Sequence, residues 1–121
     1  MLTFMFEQLE VYQKAVDFAD EIAALTEGFP RGYGFLVAQL NRAARSIATN
    51  LAAGNGRFTK PDRRNFFTIA RGSAQECVPL LELARRRGLV QEPAAFALRE
   101  RLEIIAKMIS GLINRLDQRP A

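Results

Sequence analysis

Between Gln39 and Arg57 the chain reads QLNRAARSIATNLAAGNGR. Leu40, Ala43, Ala44, Ile47 and Leu51 recur at three- and four-residue steps, which is the apolar stripe of an α-helix. Arg42, Ser46 and Asn50, each four apart, stack beside that stripe as a polar ladder. The pattern predicts a helix from about Tyr33–Leu36 to Ala53. Gly54-Asn55-Gly56 is expected to end it, because glycine admits the positive φ of a C-cap.

Three more helical patterns flank this one. Phe6 to Glu27 places Leu9, Tyr12, Val16, Ala19, Ile22 and Ala23 on one expected face, with Glu10, Lys14, Asp17, Asp20, Glu21 and Glu27 mostly opposite. Gly28-Phe29-Pro30 ends it, since proline blocks continuation. Thr59-Lys60-Pro61-Asp62 is a helix start, with Thr59 as N-cap and proline in the first turn. The third helix then spans about Lys60 to Arg87. Its expected inner face is Phe66, Ile69, Ala70, Ser73, Cys77, Leu80, Leu81 and Ala84. Pro79 predicts a kink near Gln75 to Pro79 rather than a break. Gly88 is the expected cap. The fourth helix starts near Glu92-Pro93 and carries Phe96, Leu98, Leu102, Ile105, Met108, Ile109, Leu112, Ile113 and Leu116 to about residue 117. Ile104 widens this stripe beyond one bundle seam, so part of it is expected to bury against another subunit. Arg119-Pro120-Ala121 forms a short tail. Four amphipathic helices with short connections predict one all-α domain over residues 1–121, an antiparallel up-down-up-down four-helix bundle.

Composition narrows the chemistry. The chain contains no histidine and one cysteine, Cys77, so Ser-His and Cys-His nucleophile pairs and the common His or Cys metal sites are absent. Cys77 lies among Ala74, Val78 and Leu81 and reads as a buried, inert thiol. Glu100 and Glu103 sit among Arg99, Arg101 and Lys107 as solvated charges do, and no Glu-x-x-His motif of a di-metal bundle occurs. No catalytic residue, metal or cofactor is expected. No run reaches membrane-span length, and the N-terminal stretch lacks the basic and cleavage features of a signal peptide, so a cytoplasmic location is expected.

Charge is uneven. Residues 1–27 carry −5 and residues 28–121 carry +9, within a total of +4. Two readings stand: a basic surface for nucleic acid, or an acidic first helix packed beside basic neighbours. Arg57, Lys60, Arg63 and Arg64 crowd the start of the third helix beside Phe58, a set suited to nucleic-acid backbone and to stacking a base. Arg85, Arg86 and Arg87 complement the dipole of the same helix at its end, or extend a phosphate-binding surface. Gly54-Asn55-Gly56-Arg57 lacks the spacing of a phosphate loop and reads as a turn. The ladder Arg42, Ser46, Asn50 is expected to meet Arg71, Ser73 and Glu76, with Arg42–Glu76 as the leading pair. Gly72 beside Ser73 would permit close helix approach. Such a network fixes helix register; a ligand site is the alternative.

These residues resemble a family of four-helix bundles first noticed as proteins encoded within intervening sequences of bacterial 23S ribosomal RNA genes. The shared pattern is Leu9-x-Val11-Tyr12-x-x-Ala15, Phe29-Pro30 and Gln39-Leu40-x-Arg42-Ala43-Ala44-x-Ser46-Ile47-x-x-Asn50. It continues with Gly54-x-Gly56-Arg57, Phe66 and Ile69-Ala70-x-Gly72-Ser73-x-x-Glu76, then a Leu-rich last helix. Departures are Ala53, where the family usually has an acid, Arg31-Gly32 after Phe29-Pro30, and Pro79. The resemblance implies assembly into rings, notably homopentamers. It also implies similarity to the accessory protein of diversity-generating retroelements, a basic pentamer that binds reverse transcriptase and nucleic acid. The resulting expectation is a non-enzymatic homo-oligomer that binds RNA or DNA through a basic surface. The alternative is a protein-interaction scaffold that uses the wide face of the fourth helix and the acidic first helix.

Overall fold

The computed structural model describes residues 4–118. A 3-10 turn over Met5–Gln8 leads into four helices: α1 Glu10–Glu27, α2 Gly34–Asn55, α3 Lys60–Arg86 and α4 Glu92–Gln118. They form the expected antiparallel four-helix bundle. The expected tail at Arg119–Ala121 lies outside the described residues. No helix among the described residues is long and apolar enough to cross a membrane.

α2 and α3 make the most extensive pairing, α3–α4 and α1–α2 follow, and α1 touches α4 only lightly. Phe18, Ile22, Leu40, Ile47, Leu51, Leu102, Ile105 and Ile109 are fully buried at the centre. Each such side chain contributes about 1.5–3 kcal/mol relative to exposure.

The entry to α1 differs from the expected single helix beginning at Phe6. Leu9 is extended, with φ −71° and ψ 124°, and separates the 3-10 turn from α1. Ring packing accounts for the break. Phe6 meets Tyr12 edge to face at 5.0 Å and stacks on Phe4 at 5.6 Å. The expected face of α1 holds in part: Ile22 is core and Leu9, Tyr12 and Ala19 pack against it, while Val16 and Ala23 are exposed. Val11, Ala15, Phe18, Ile22 and Thr26 point inward, whereas Val16 is 40% exposed. Thr26 is satisfied where it is buried: its hydroxyl donates to the Ile22 carbonyl at 2.9 Å and accepts from Asn41 Nδ2 at 2.9 Å. Asn41 thereby ties the end of α1 to α2.

The stripe of α2 is buried as its spacing requires, with Leu40, Ala43, Ala44, Ile47 and Leu51 all at 0% exposure. The end of α2 is a correction. The helix continues to Asn55, Gly54 is inside it, and the cap Gly56 has φ −85° rather than a positive value. Gly54 is needed for space. A Cβ there would meet the Phe67 ring at 2.7 Å and 2.8 Å and Phe66 Cβ at 3.1 Å. Gly72, expected at a close approach, is exposed and has no atom within 4 Å of a Cβ position.

On α3, Thr59 Oγ1 accepts from the Asp62 N–H at 3.3 Å, as an N-cap should. The inner face is Phe67, Ala70, Ser73, Ala74, Cys77, Leu81 and Ala84. Phe67 therefore takes the place expected for Phe66, and Ile69 points outward at 43% exposure. The helix runs through Pro79 without a break. Gly88, at φ 75°, supplies the left-handed residue just after α3. On α4, Leu98, Leu102, Ile105, Ile109 and Leu116 are buried, while Phe96 and Ile104 face solvent.

Two measurements probe this packing. Gly54→Ala should lower stability by about 1–2 kcal/mol in urea unfolding, because the Phe67 ring is core and cannot yield freely. Gly72→Ala should instead raise stability by up to about 1 kcal/mol, the ordinary helix-propensity gain in open space. Burial pushes the Cys77 thiol up to about 12, with the neighbouring Glu76 carboxylate adding to the shift and Arg42 opposing it. The native protein should therefore resist thiol reagents at mildly alkaline pH and react fully once unfolded.

Candidate nucleic-acid interface

The loop between α2 and α3 is short and tightly held. The Arg57 N–H donates to the Gly54 carbonyl at 3.2 Å, and the Arg57 carbonyl accepts from Arg63 Nε at 2.6 Å. Thr59 is fixed as the cap of α3. Phe58 lies between these anchors and is 99% exposed. The side chain is thus displayed by pinned backbone on both sides. Arg57 lays its guanidinium over the Phe66 ring, 4.5 Å from the centroid. The Arg57 side chain remains exposed while its flat group is held there.

Lys60 and Arg63 follow in the first turn of α3, and Arg64 comes next. Arg64 forms an ion pair with Asp117 near the end of α4. Both partners are about half exposed, so water screens the pair. Asp62 and Asp117 offset part of the local charge, and the four cations keep the corner positive.

The seven basic residues singled out from sequence do not share one surface. Arg85, Arg86 and Arg87 close α3 at its other end, about 35 Å away along the helix axis. Arg85 grips Glu82 with two hydrogen bonds of 2.9 Å and 2.8 Å, and Arg86 adds a third at 3.1 Å. These bonds hold the Glu82 carboxyl down at about 2. The far-end cluster is therefore partly neutralised by its own helix, and Glu92 also faces Arg85 electrostatically.

The polar ladder is a helix-to-helix seam. Arg42 pairs with Glu76 and also donates to Gln39. Ser73 donates to Ser46 Oγ at 2.8 Å, and Asn50 Nδ2 donates to the Ser46 carbonyl and hydroxyl at 2.8 Å and 2.9 Å. Arg71 departs from the expected set. Its Nε donates to Ser110 on α4 at 2.8 Å, because that face of α3 turns toward α4 rather than α2. Sequence reasoning missed Ser110, Asn41 and Thr26, all partners across helices that no local spacing marks.

Among the described residues the acidic first helix meets a basic partner on another helix. Glu21 pairs with Arg101 of α4, whose guanidinium also lies 5.6 Å from the Phe18 ring centroid. Two shallow grooves of about 230 and 480 Å³ follow the loose α1–α4 seam, and one of about 160 Å³ lies between α3 and α4. Their linings mix apolar side chains with charged ones such as Lys14, Asp17, Glu10 and Lys107. No group of three or more His, Cys, Asp or Glu side chains converges as a metal site among the described residues.

The Glu82 contact has a defined pH signature. Its folded value, about 2, lies below its ordinary 4.5. The contact therefore stabilises the fold above the ordinary value, and that contribution is lost as pH falls through the folded value. Thermal melts should show Glu82→Gln less stable than the parent at neutral pH, with the gap closing between 4.5 and about 2.

Comparison with known proteins supplies the remaining context. A family model described as 23S rRNA-intervening sequence protein matches residues 7–111. No curated protein matches the chain. A crystal structure of a protein of unknown function from the S23 ribosomal protein family of Bacteroides thetaiotaomicron superposes with a TM-score of 0.80 at 23% identity, over 86% of this chain and 95% of that one. At that identity the likeness concerns the fold. The family match spans most of the chain and agrees with the bundle, so the chain belongs to the 23S rRNA-intervening sequence protein family.

Proposed function

We propose that this protein is a non-enzymatic, homo-oligomeric bundle that binds nucleic acid through the corner formed by Arg57, Lys60, Arg63 and Arg64. The observation that carries this reading is Phe58, wholly exposed on a pinned loop between cations. An apolar ring in water gains nothing for the monomer's fold, whereas beside guanidinium and ammonium groups it suits a base attached to a phosphate. The cations supply the sequence-independent part of such binding. The Arg85–Arg87 cluster is secondary, because Glu82 already occupies two of its three guanidinium groups.

Assembly strengthens the electrostatics. The resemblance implies a pentamer, in which a protomer charge of +4 becomes about +20. Exposed Phe96, Ile104 and Val16 provide apolar surface for subunit contact. The same surface supports a second reading, a scaffold that binds a protein such as a reverse transcriptase and no nucleic acid.

Salt titration separates the two. The purified protein should bind structured RNA and duplex DNA with an affinity that falls log-linearly with salt. Replacing Arg63 and Arg64 with Ala should weaken binding to unrelated sequences alike and reduce the log–log salt slope by about one for each phosphate no longer neutralised. Replacing Arg85 and Arg86 should change the slope less. Absence of binding at low salt would favour the scaffold.

A further inference from the structure

We infer that this corner binds unpaired nucleic acid, a single strand or an open loop, in preference to duplex, which it meets through its backbone alone. The inference rests on the nucleic-acid reading and goes further by naming which form is preferred. Its basis is the pairing of two flat groups on one short loop. The Phe58 ring is 99% exposed. The neighbouring Arg57 guanidinium has one face on the Phe66 ring at 4.5 Å and belongs to an exposed side chain. Rings and guanidinium planes stack on bases whose faces are open. Inside a duplex those faces are covered by neighbouring base pairs, so neither group can be used there without unstacking. An unpaired strand presents a free face at every nucleotide.

The surrounding charges fit the same ligand. Lys60, Arg63 and Arg64 lie within the first two turns of α3, close enough to follow the phosphates of a strand whose base rests on Phe58. Phe58 sits on a loop whose backbone is held by Arg63 and by the Thr59 cap, so little ordering is required when a base stacks.

The chain has no tryptophan, so Phe58→Trp introduces a single indole reporter. The test titrates this variant, the parent and Phe58→Leu with oligo(dT), oligo(U) and a long DNA duplex in which open ends are negligible. Sedimentation of each variant is measured alongside. The expected result is indole quenching by the single strands and not by the duplex. Phe58→Leu should lower single-strand affinity about tenfold, with duplex binding, salt slope and sedimentation unchanged. Equal binding of both forms, no quenching and no effect of Phe58→Leu would overturn the stacking inference while leaving backbone binding in place. A change in assembly mass in Phe58→Leu would overturn it by making Phe58 a subunit contact. No binding of any probe at low salt would remove the nucleic-acid reading itself, and this inference with it.

Discussion

The close pairing of α2 and α3 is the constraint on which the remainder of the molecule depends. Both facing helices bury small side chains: Ala43, Ala44, Ala48 and Gly54 on one, Ala70, Ser73, Ala74 and Cys77 on the other. Small residues let helix axes approach at the short end of the usual range. Across this pairing Arg42 reaches Glu76 and Ser73 reaches Ser46, and Gly54 lies against Phe67. These contacts step in opposite directions along the two chains, which is the register of an antiparallel pair. The half-exposed ion pair adds little energy alone. Its larger effect is to penalise a slipped register, in which the polar groups would face apolar stripe.

That register sets the geometry of the loop. Since α2 cannot move relative to Phe67, its last turn ends beside Phe66, and Arg57 settles on that ring. Arg63 is then placed to donate to the Arg57 carbonyl, and Thr59 to cap α3. The chain between these anchors has room for one residue with no inward direction, and that residue is Phe58. Packing in the bundle interior therefore dictates what the surface displays at this corner.

How much of this was legible in sequence varied with the kind of cause. The stripe of α2 was plain because its other faces are polar, leaving one way to bury it. The ladder and its Glu76 partner followed from the same spacing. On α1 the face was placed only in part, because Val16 and Ala23 compete in the pattern with Val11, Ala15 and Phe18. The 3-10 turn that leads into α1, with Phe6 on Tyr12, has no counterpart in the helical spacing. Gly54 looked like a cap since glycine at a helix end usually is one. Its true requirement, room for the Phe67 ring, belongs to another helix and leaves no local trace. The basic residues were visible by count. Their division between two ends of α3 follows from helix length, and the tying of Arg85 and Arg86 to Glu82 follows from three- and four-residue spacing that could have been read.

The helix dipole distinguishes the two basic clusters in a way that composition does not. Arg85 and Arg86 occupy the last turn of α3, where the partial negative charge of the helix end favours cations. Stability alone explains them. Lys60 and Arg63 occupy the first turn, where the dipole is positive and each cation is disfavoured by about 0.3–1 kcal/mol. Asp62 and the Arg64–Asp117 pair offset this in part. A neutral amide at position 63 would serve the Arg57 carbonyl without the repulsion. The amide groups of the first turn and these side chains instead add their positive potentials at one place, next to an exposed ring. A local arrangement that opposes stability is the place to look for function. An arriving phosphate would meet these added positive potentials together, which is the electrostatic basis of the proposed site.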